Sequence, residues 1–236
     1  MPASGPCQPV DDTACGPSSR GLAFSPGFLL NGLHRFEIHE SPGELKVEFI
    51  SKDEVAELLR SHGIDQSSQD EEHVYCSMSD EVAVSHCHLS IEGSEIEPRS
   101  GAKVVEIAEA DVVGVIDSIL HKLHHNQIIL IPVGKWRSIF DVVAFSLASN
   151  EEWQAIDAAA SVELNTRDPL LAESGDLHLL CDLVRALMQD SDQPDQGITM
   201  ITAGVPVALE LVPAGGVRMS FGNQAVAEEI AEVCSG

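Results

Sequence analysis

The alternation of apolar and polar positions is most informative in the middle of the chain. Two short apolar runs, Ile128–Val133 and Ile139–Leu147, flank the polar break Gly134–Ser138. Runs of this length around a glycine-containing break are typical of buried strands joined in a hairpin. Neither run alternates, so we expect both faces of each strand to be covered. The sequence therefore predicts a buried central hairpin with the tripeptide KWR, residues 135–137, at its bend.

Alternation and capping signals predict the elements on either side of this stretch. Residues 35–40 and 44–50 alternate apolar and charged side chains, which is typical of a hairpin with one face in water. Ser51 and Glu54 have the spacing of a capping box, and Gly63 lies where the following helix is expected to end. Further strands are predicted at residues 73–78, 82–91, 104–107, 199–202, 206–212 and 217–221, a loop at 65–72, and helices at 110–125, around Trp153, at 176–188 and at 224–233.

These elements predict an α+β fold. Strands that arrive in hairpins, with helices between the pairs, favour a mixed or largely antiparallel sheet covered by amphipathic helices. A unit of strand, polar cap and helix recurs at residues 47–59, 104–116, 143–156 and 217–230. We interpret residues 26–236 as a single α+β domain, and a duplication into two similar β-hairpin–helix halves, 26–101 and 102–236, is the alternative. Residues 1–25 form an acidic, Pro-rich tail that is predicted to be disordered.

The charge of the chain limits its partners. With 13 basic and 38 acidic residues among 236, the net charge is -25. Nucleic-acid backbones and anionic membrane surfaces are repelled by such a chain, so neither is expected as a partner. The apolar runs are far shorter than a membrane span, and residues 1–25 do not resemble a secretory signal, so we expect a cytoplasmic protein. The six cysteines contain no CxxC pair, which favours reduced thiols.

The tripeptide His86-Cys87-His88 is the first candidate for chemistry. On a strand His86 and His88 point to the same face, which suits two ligands of a divalent transition metal. With Glu92 they form H-x-H-x3-E, which resembles the core of the first cupin motif and implies a metal site at these three residues. The resemblance covers residues 86–92 alone, because Asp80 stands where that motif has a glycine and no second motif follows. The alternative is a half-exposed strand face with no metal.

A cationic cluster is the second candidate. Lys135 and Arg137 flank Trp136 at the predicted bend, and Arg167 lies in a later loop. Arginine suits a carboxylate or a phosphate, and tryptophan offers a face for stacking. Asp141 is expected to be buried in the second strand and to need a cation, which Arg137 or Arg167 can supply. The cluster predicts either a small anion-binding pocket or a structural salt bridge.

No complete catalytic or cofactor motif occurs in the chain. We therefore expect a binding or scaffolding protein without a cofactor, either a protein-interaction module, including one that self-associates, or a module that binds a small anion. The alternative from another class is a metal-dependent enzyme that uses His86 and His88.

Overall fold

The structure is a computed structural model that describes residues 48–68, 72–94, 97–123, 127–154, 166–213 and 215–234. The predicted tail, residues 1–25, and the first predicted strand, residues 35–40, lie outside these ranges. No helix within the described residues has both the length and the apolar character needed to cross a bilayer.

The described residues form a large mixed sheet and a separate hairpin. The strands are β1 Glu48–Phe49, β2 Ile64–Ser68, β3 Val74–Met78, β4 Ser85–Ile91, β5 Lys103–Ile107, β6 Gln127–Pro132, β7 Leu170–Glu173, β8 Ile198–Thr202, β9 Val207–Val212 and β10 Gly216–Phe221. Eight strands join in the order β1-β7-β6-β8-β9-β10-β4-β5, while β2 pairs with β3. Every pair is antiparallel except β4 with β5. The predicted α+β fold with a largely antiparallel sheet is confirmed.

Four of the five long helices among the described residues build the main core on one face of the large sheet. The helices are α1 Lys52–Ser61, α2 Glu109–Lys122, α3 Trp136–Val143, α4 Leu177–Asp190 and α5 Gln224–Val233, and residues 151–154 are also helical. Helices α2 to α5 pack over this face and against one another. Alternate sheet residues such as Leu209, Met219 and Leu89 point into the same apolar cluster. This burial of apolar surface is the main source of the fold's stability.

The opposite face of the sheet carries the β2–β3 hairpin. Strand β3 lies against β8, β9 and β10, and Thr199 donates its hydroxyl to the carbonyl of Cys76 at 3.4 Å. Helix α1 precedes the hairpin and begins with the predicted capping box, in which Ser51 and Glu54 cap each other. Gly63 ends this segment with a φ of 64°, a conformation that favours glycine. The hairpin thus covers the centre of the second face.

The predicted central hairpin is wrong in its second strand. Ile128–Val133 does form the buried strand β6, but its neighbours are β7 and β8. Helix α3, Trp136–Val143, takes in the end of the predicted polar break and the first five residues of the supposed second run, and its buried residues are Trp136, Ile139, Phe140 and Val143. Their spacing of three, four and seven residues is a helical stripe, and a short apolar run fits a helix as well as a strand. The bend that was expected to carry KWR is therefore the entry to a helix.

Two strands were not predicted. Residues 65–72 were expected to be a loop, but β2 covers Ile64–Ser68 although only Ile64 of its side chains is buried. Strand β7 has four residues and is bonded between β1 and β6. The strand–cap–helix unit is present at β1–α1, β5–α2 and β10–α5, whereas residues 143–156 contain no strand in their described part. Strands from the two predicted halves pair with each other in the large sheet. From residues 26–101, β1 pairs with β7 and β4 pairs with β10, and both partners belong to residues 102–236.

Candidate functional site

A row of polar residues crosses the second face of the sheet. His88 of β4 lies opposite Arg218 of β10, which lies opposite Glu210 of β9, and Glu210 lies opposite Thr199 of β8. Their immediate neighbours along each strand face the helices, so the alternation of side chains places this row on the other face. The next row contains His86, which lies opposite Ser220. Both predicted histidines therefore lie on one face of β4, as their spacing on a strand requires.

Residues 97–99, in the connection between β4 and β5, are hydrogen-bonded to this row and to β3. Arg99 donates from Nη2 to Oε1 of Glu210 at 2.6 Å and from Nη1 to the carbonyl of Met78 at 3.3 Å. Arg218 donates from Nη2 to the carbonyl of Glu97 at 2.9 Å. Burial raises the pKa of Glu210, while Arg99 and then Arg218 oppose that rise. The two arginines thus compensate a largely buried carboxylate.

His88 has a buried ring without a well-formed hydrogen bond. Its residue is 1% exposed, and neither ring nitrogen has a partner of good hydrogen-bond distance and angle in the described part of the chain, although the carbonyl of Gly215 acts on the ring as a weak acceptor. Nε of Arg218, its cross-strand neighbour, is likewise buried and unpaired there. Burial and, less strongly, the charge of Arg218 lower the pKa of His88, against a smaller opposing effect from the carbonyl of Gly215. Each unpaired buried polar group of this kind lowers the stability of the fold by about 1–3 kcal/mol. Two such side chains next to each other, His88 and Arg218, are therefore unusual for a protein core.

The ring of His86 lies between the side chains of Ser220 and Asp80. Its Nδ1 lies 2.9 Å from Oγ of Ser220, and its Nε2 lies 3.8 Å from Oδ1 of Asp80. The three residue types are those of a hydrolytic triad, but Ser220 is 1% exposed whereas the side chain of Asp80 is 95% exposed. A nucleophile must reach its substrate, so this order of burial does not suit covalent catalysis by Ser220. Burial, followed by the charge of Arg99, lowers the pKa of His86.

An open cleft lies beside His86. It has a volume of about 620 Å³, which is within the range of small-molecule sites. Its wall is formed by His86, Arg99 and Asp80 together with Ser77, Met78, Ser79 and Ser100. The cleft therefore combines one fixed cation, one exposed carboxylate, one imidazole and several neutral hydrogen-bonding groups.

The predicted metal ligands are not brought together with a third partner. Glu92 is exposed in the turn that follows β4. Within the ranges that the structure describes, no group of three or more His, Cys, Asp or Glu residues is arranged to hold a metal ion. The metal site at His86, His88 and Glu92 stays a prediction.

The predicted cationic cluster is divided between core and surface. Trp136 is 0% exposed, packs edge-to-face with Phe49 and Phe140, and donates its indole N–H to the carbonyl of Asp168 at 2.8 Å. Its ring therefore has no free face for a ligand. Nη1 of Arg137 lies 3.5 Å from Oδ1 of Asp141.

Asp141 was expected in a buried strand, but it is exposed and lies one helical turn beyond Arg137. Such surface pairs contribute little to stability. Lys135 is exposed at the start of α3, and Arg167 is partly buried and has interactions of its own.

Sequence reasoning missed Arg99, Glu210 and Arg218. The signal for two of them was present, because Glu210 and Arg218 each interrupt an apolar strand, in VALELV and GVRMSF. A charge inside a buried strand needs a partner, which makes such positions informative. No match was found when the chain was compared with protein-family profiles, curated proteins and solved structures.

Proposed function

We propose that this chain is a binding protein that holds a small anionic ligand in the cleft beside His86, with Arg99 as the main contact. The observation that carries the proposal is the cleft itself, which brings Arg99, His86 and the three serine residues together on one wall. His88 and Arg218, whose unpaired nitrogens are buried, belong to the neighbouring row of the same sheet face and do not line the cleft.

The donors of the cleft suit a carboxylate or a phosphate. A guanidinium has five N–H groups, and the hydrogen bonds of Arg99 to Glu210 and Met78 use two of them. Its planar fork matches the geometry of a carboxylate or phosphate, and the serine hydroxyls add neutral donors. Asp80 on the same wall repels negative charge, so a ligand with a single anionic group fits better than a polyanion.

Ligand screening of the 236-residue chain tests the proposal. The probes are inorganic phosphate, short mono- and dicarboxylates and nucleotides, followed by thermal unfolding and titration calorimetry. A ligand at 100 times its dissociation constant adds about 2.7 kcal/mol of stability, which is readily seen as a rise in Tm. We expect a monoanion to raise Tm, and we expect the shift to be lost in Arg99→Gln and reduced in His86→Gln.

Arg137→Gln is the matched control, because Arg137 is the exposed arginine of the other predicted anion site. It should leave the ligand-induced shift unchanged. A shift that is lost in Arg137→Gln and kept in His86→Gln would move the site to the start of α3. If no anion in the screen raises Tm, the proposal fails.

The other functional hypotheses stay predictions. Elemental analysis of protein purified without an affinity tag tests the metal-dependent enzyme. Stoichiometric zinc, iron or manganese that is lost in a His86→Ala/His88→Ala variant would favour that enzyme over the anion-binding protein. Light scattering at several concentrations tests self-association.

A further inference from the structure

Strand β5 forms an open edge of the large sheet. It is the last strand in the sheet order and pairs on one side with β4, in parallel. In the described part of the chain no strand pairs with its other side, and no backbone hydrogen bond from outside the sheet reaches residues 104–107. The edge of a sheet presents backbone N–H and C=O groups onto which another extended segment can be added.

The two faces of β5 differ in character. Val105 and Ile107 pack against the main core cluster, so the alternation of side chains directs Val104 and Glu106 to the second face of the sheet. Val104 is 47% exposed, and Glu106 is exposed as well. A segment added beside β5 therefore places every other side chain next to apolar Val105 and Ile107, and the remaining ones next to Val104 and Glu106.

Acidic side chains surround this edge. Glu92 directly follows β4, and Glu109 and Asp111 lie in the first turn of α2, and all three are exposed. Residues 103–111 contain three acidic residues and one basic residue, so the edge shares the acidic character of the whole chain. A second copy of the chain is disfavoured at this edge because it repeats the same charges, whereas a basic segment is attracted.

We propose that the β5 edge is an interaction surface that binds an extended, basic segment of a partner protein by strand addition. In this segment lysine or arginine alternates with apolar residues. The apolar side chains extend the cover over Val105 and Ile107, and the basic side chains lie beside Glu106, since apolar pairs and opposite charges both favour the pairing of neighbouring strands. The surface is independent of the anion-binding function, because the residues of β5 do not line the cleft.

Two other strand edges suit such a partner less well. Strand β1, at the opposite end of the sheet order, has two residues. Strand β2 is exposed over residues 65–68 and has no apolar side chain there. Strand β5 has five residues and thus offers about 17 Å of backbone together with an apolar face.

The experiment measures the binding of fluorescent peptides to the 236-residue chain by anisotropy. It is done at about 0.15 M salt, where charges more than about 8 Å apart are largely screened. The probe alternates lysine and valine. One control alternates lysine and glycine, which keeps the charge but has a low strand propensity, and another alternates glutamate and valine. We expect the lysine–valine peptide to bind at least about tenfold more tightly than either control.

A matched pair of variants tests the place of binding. Glu106→Lys should weaken the binding of the lysine–valine peptide by about tenfold or more, because it replaces an attraction at the edge by a repulsion. Asp65→Lys makes the same change of charge on exposed β2, and it should leave the affinity within about twofold. Equal losses in the two variants would show that only the overall charge attracts the peptide, and they would overturn the proposal.

Hydrogen exchange of the parent protein locates the peptide without any substitution. The lysine–valine peptide should slow the exchange of residues 103–107 and leave that of residues 64–68 unchanged. The proposal is overturned if the peptide does not bind or if it protects another segment. It is also overturned if light scattering shows a dimer whose residues 103–107 are protected before any peptide is added, since the edge then belongs to a second copy.

Discussion

At the residue scale, the most informative side chain is His88. It lies in the middle of β4, one strand from the edge of the sheet, and its buried ring has no well-formed hydrogen bond among the described residues. Because burial and Arg218 lower its pKa, the folded state favours the neutral ring. The unfolded chain takes up a proton at the ordinary histidine pKa of about 6.5, so the stability associated with His88 is present above that pH. It is lost as the pH falls below about 6.5 towards the folded value.

We predict that His88→Leu removes part of this acid sensitivity. Leucine replaces the ring by apolar volume and leaves no unpaired nitrogens, so the variant should be close to the parent in stability at pH 8. Relative to the parent it should gain up to about 1.4 kcal/mol for each pH unit below 6.5. Urea unfolding at pH 8, 6.5 and 5.5 measures the difference. Equal pH dependence in both proteins would contradict the assignment of a lowered pKa to His88.

At the element scale, helix α3 shows how one side chain joins two segments. Trp136 begins the helix, fills the core between Phe49 and Phe140, and reaches the carbonyl of Asp168. The backbone N–H of Trp136 also donates to the carbonyl of Thr166 at 3.3 Å. The helix is therefore attached to residues 166–168 at the point where the sequence predicted a ligand site.

We predict that Trp136→Phe destabilises the protein by about 2–4 kcal/mol. The variant leaves the carbonyl of Asp168 without its indole donor and opens a void in the core. Arg137→Ala, one residue away, removes a partly exposed ion pair with Asp141 and should change stability by less than about 1 kcal/mol. Urea unfolding compares the two. A larger effect from Arg137→Ala would indicate that the cation, and not the indole, holds the start of α3.

At the scale of the whole molecule, the net charge of -25 acts against compactness. Like charges repel one another across the surface, and salt screens the repulsion over about 10 Å at 0.1 M. Favourable pairs such as Arg99 with Glu210 are largely buried and are screened less.

We therefore predict that Tm rises when NaCl is increased from about 0.01 to 0.2 M. Screening of the surface repulsion should outweigh the weakening of the surface ion pairs. An equal osmolarity of glycerol controls for effects that do not depend on charge. A fall in Tm with salt would show that attractive pairs dominate the electrostatics of the fold.

How much was predictable differs between elements. The capping box at Ser51, helices α2, α4 and α5 and the meander β8–β10 were predicted from local patterns, which the structure retains. Strand β2 was missed because its exposed side chains carry no apolar alternation, and its pairing with β3 makes it a strand. Helix α3 was not predicted because its eight residues are too few to distinguish the 3.6-residue period of a helix from a buried strand.

The sequence by itself determined the class of the fold and the fact that His86 and His88 share one face of β4. Both follow from the side-chain periods of two residues in a strand and 3.6 residues in a helix. Only the tertiary structure decided which side chains lie beside those histidines. Arg99, Glu210 and Arg218 come from three separate segments, and their meeting depends on a strand order that places β10 between β9 and β4. Long-range packing likewise placed Trp136 in the core, between Phe49 and Phe140. Such contacts depend on how distant strands and helices pack, and no local pattern encodes that.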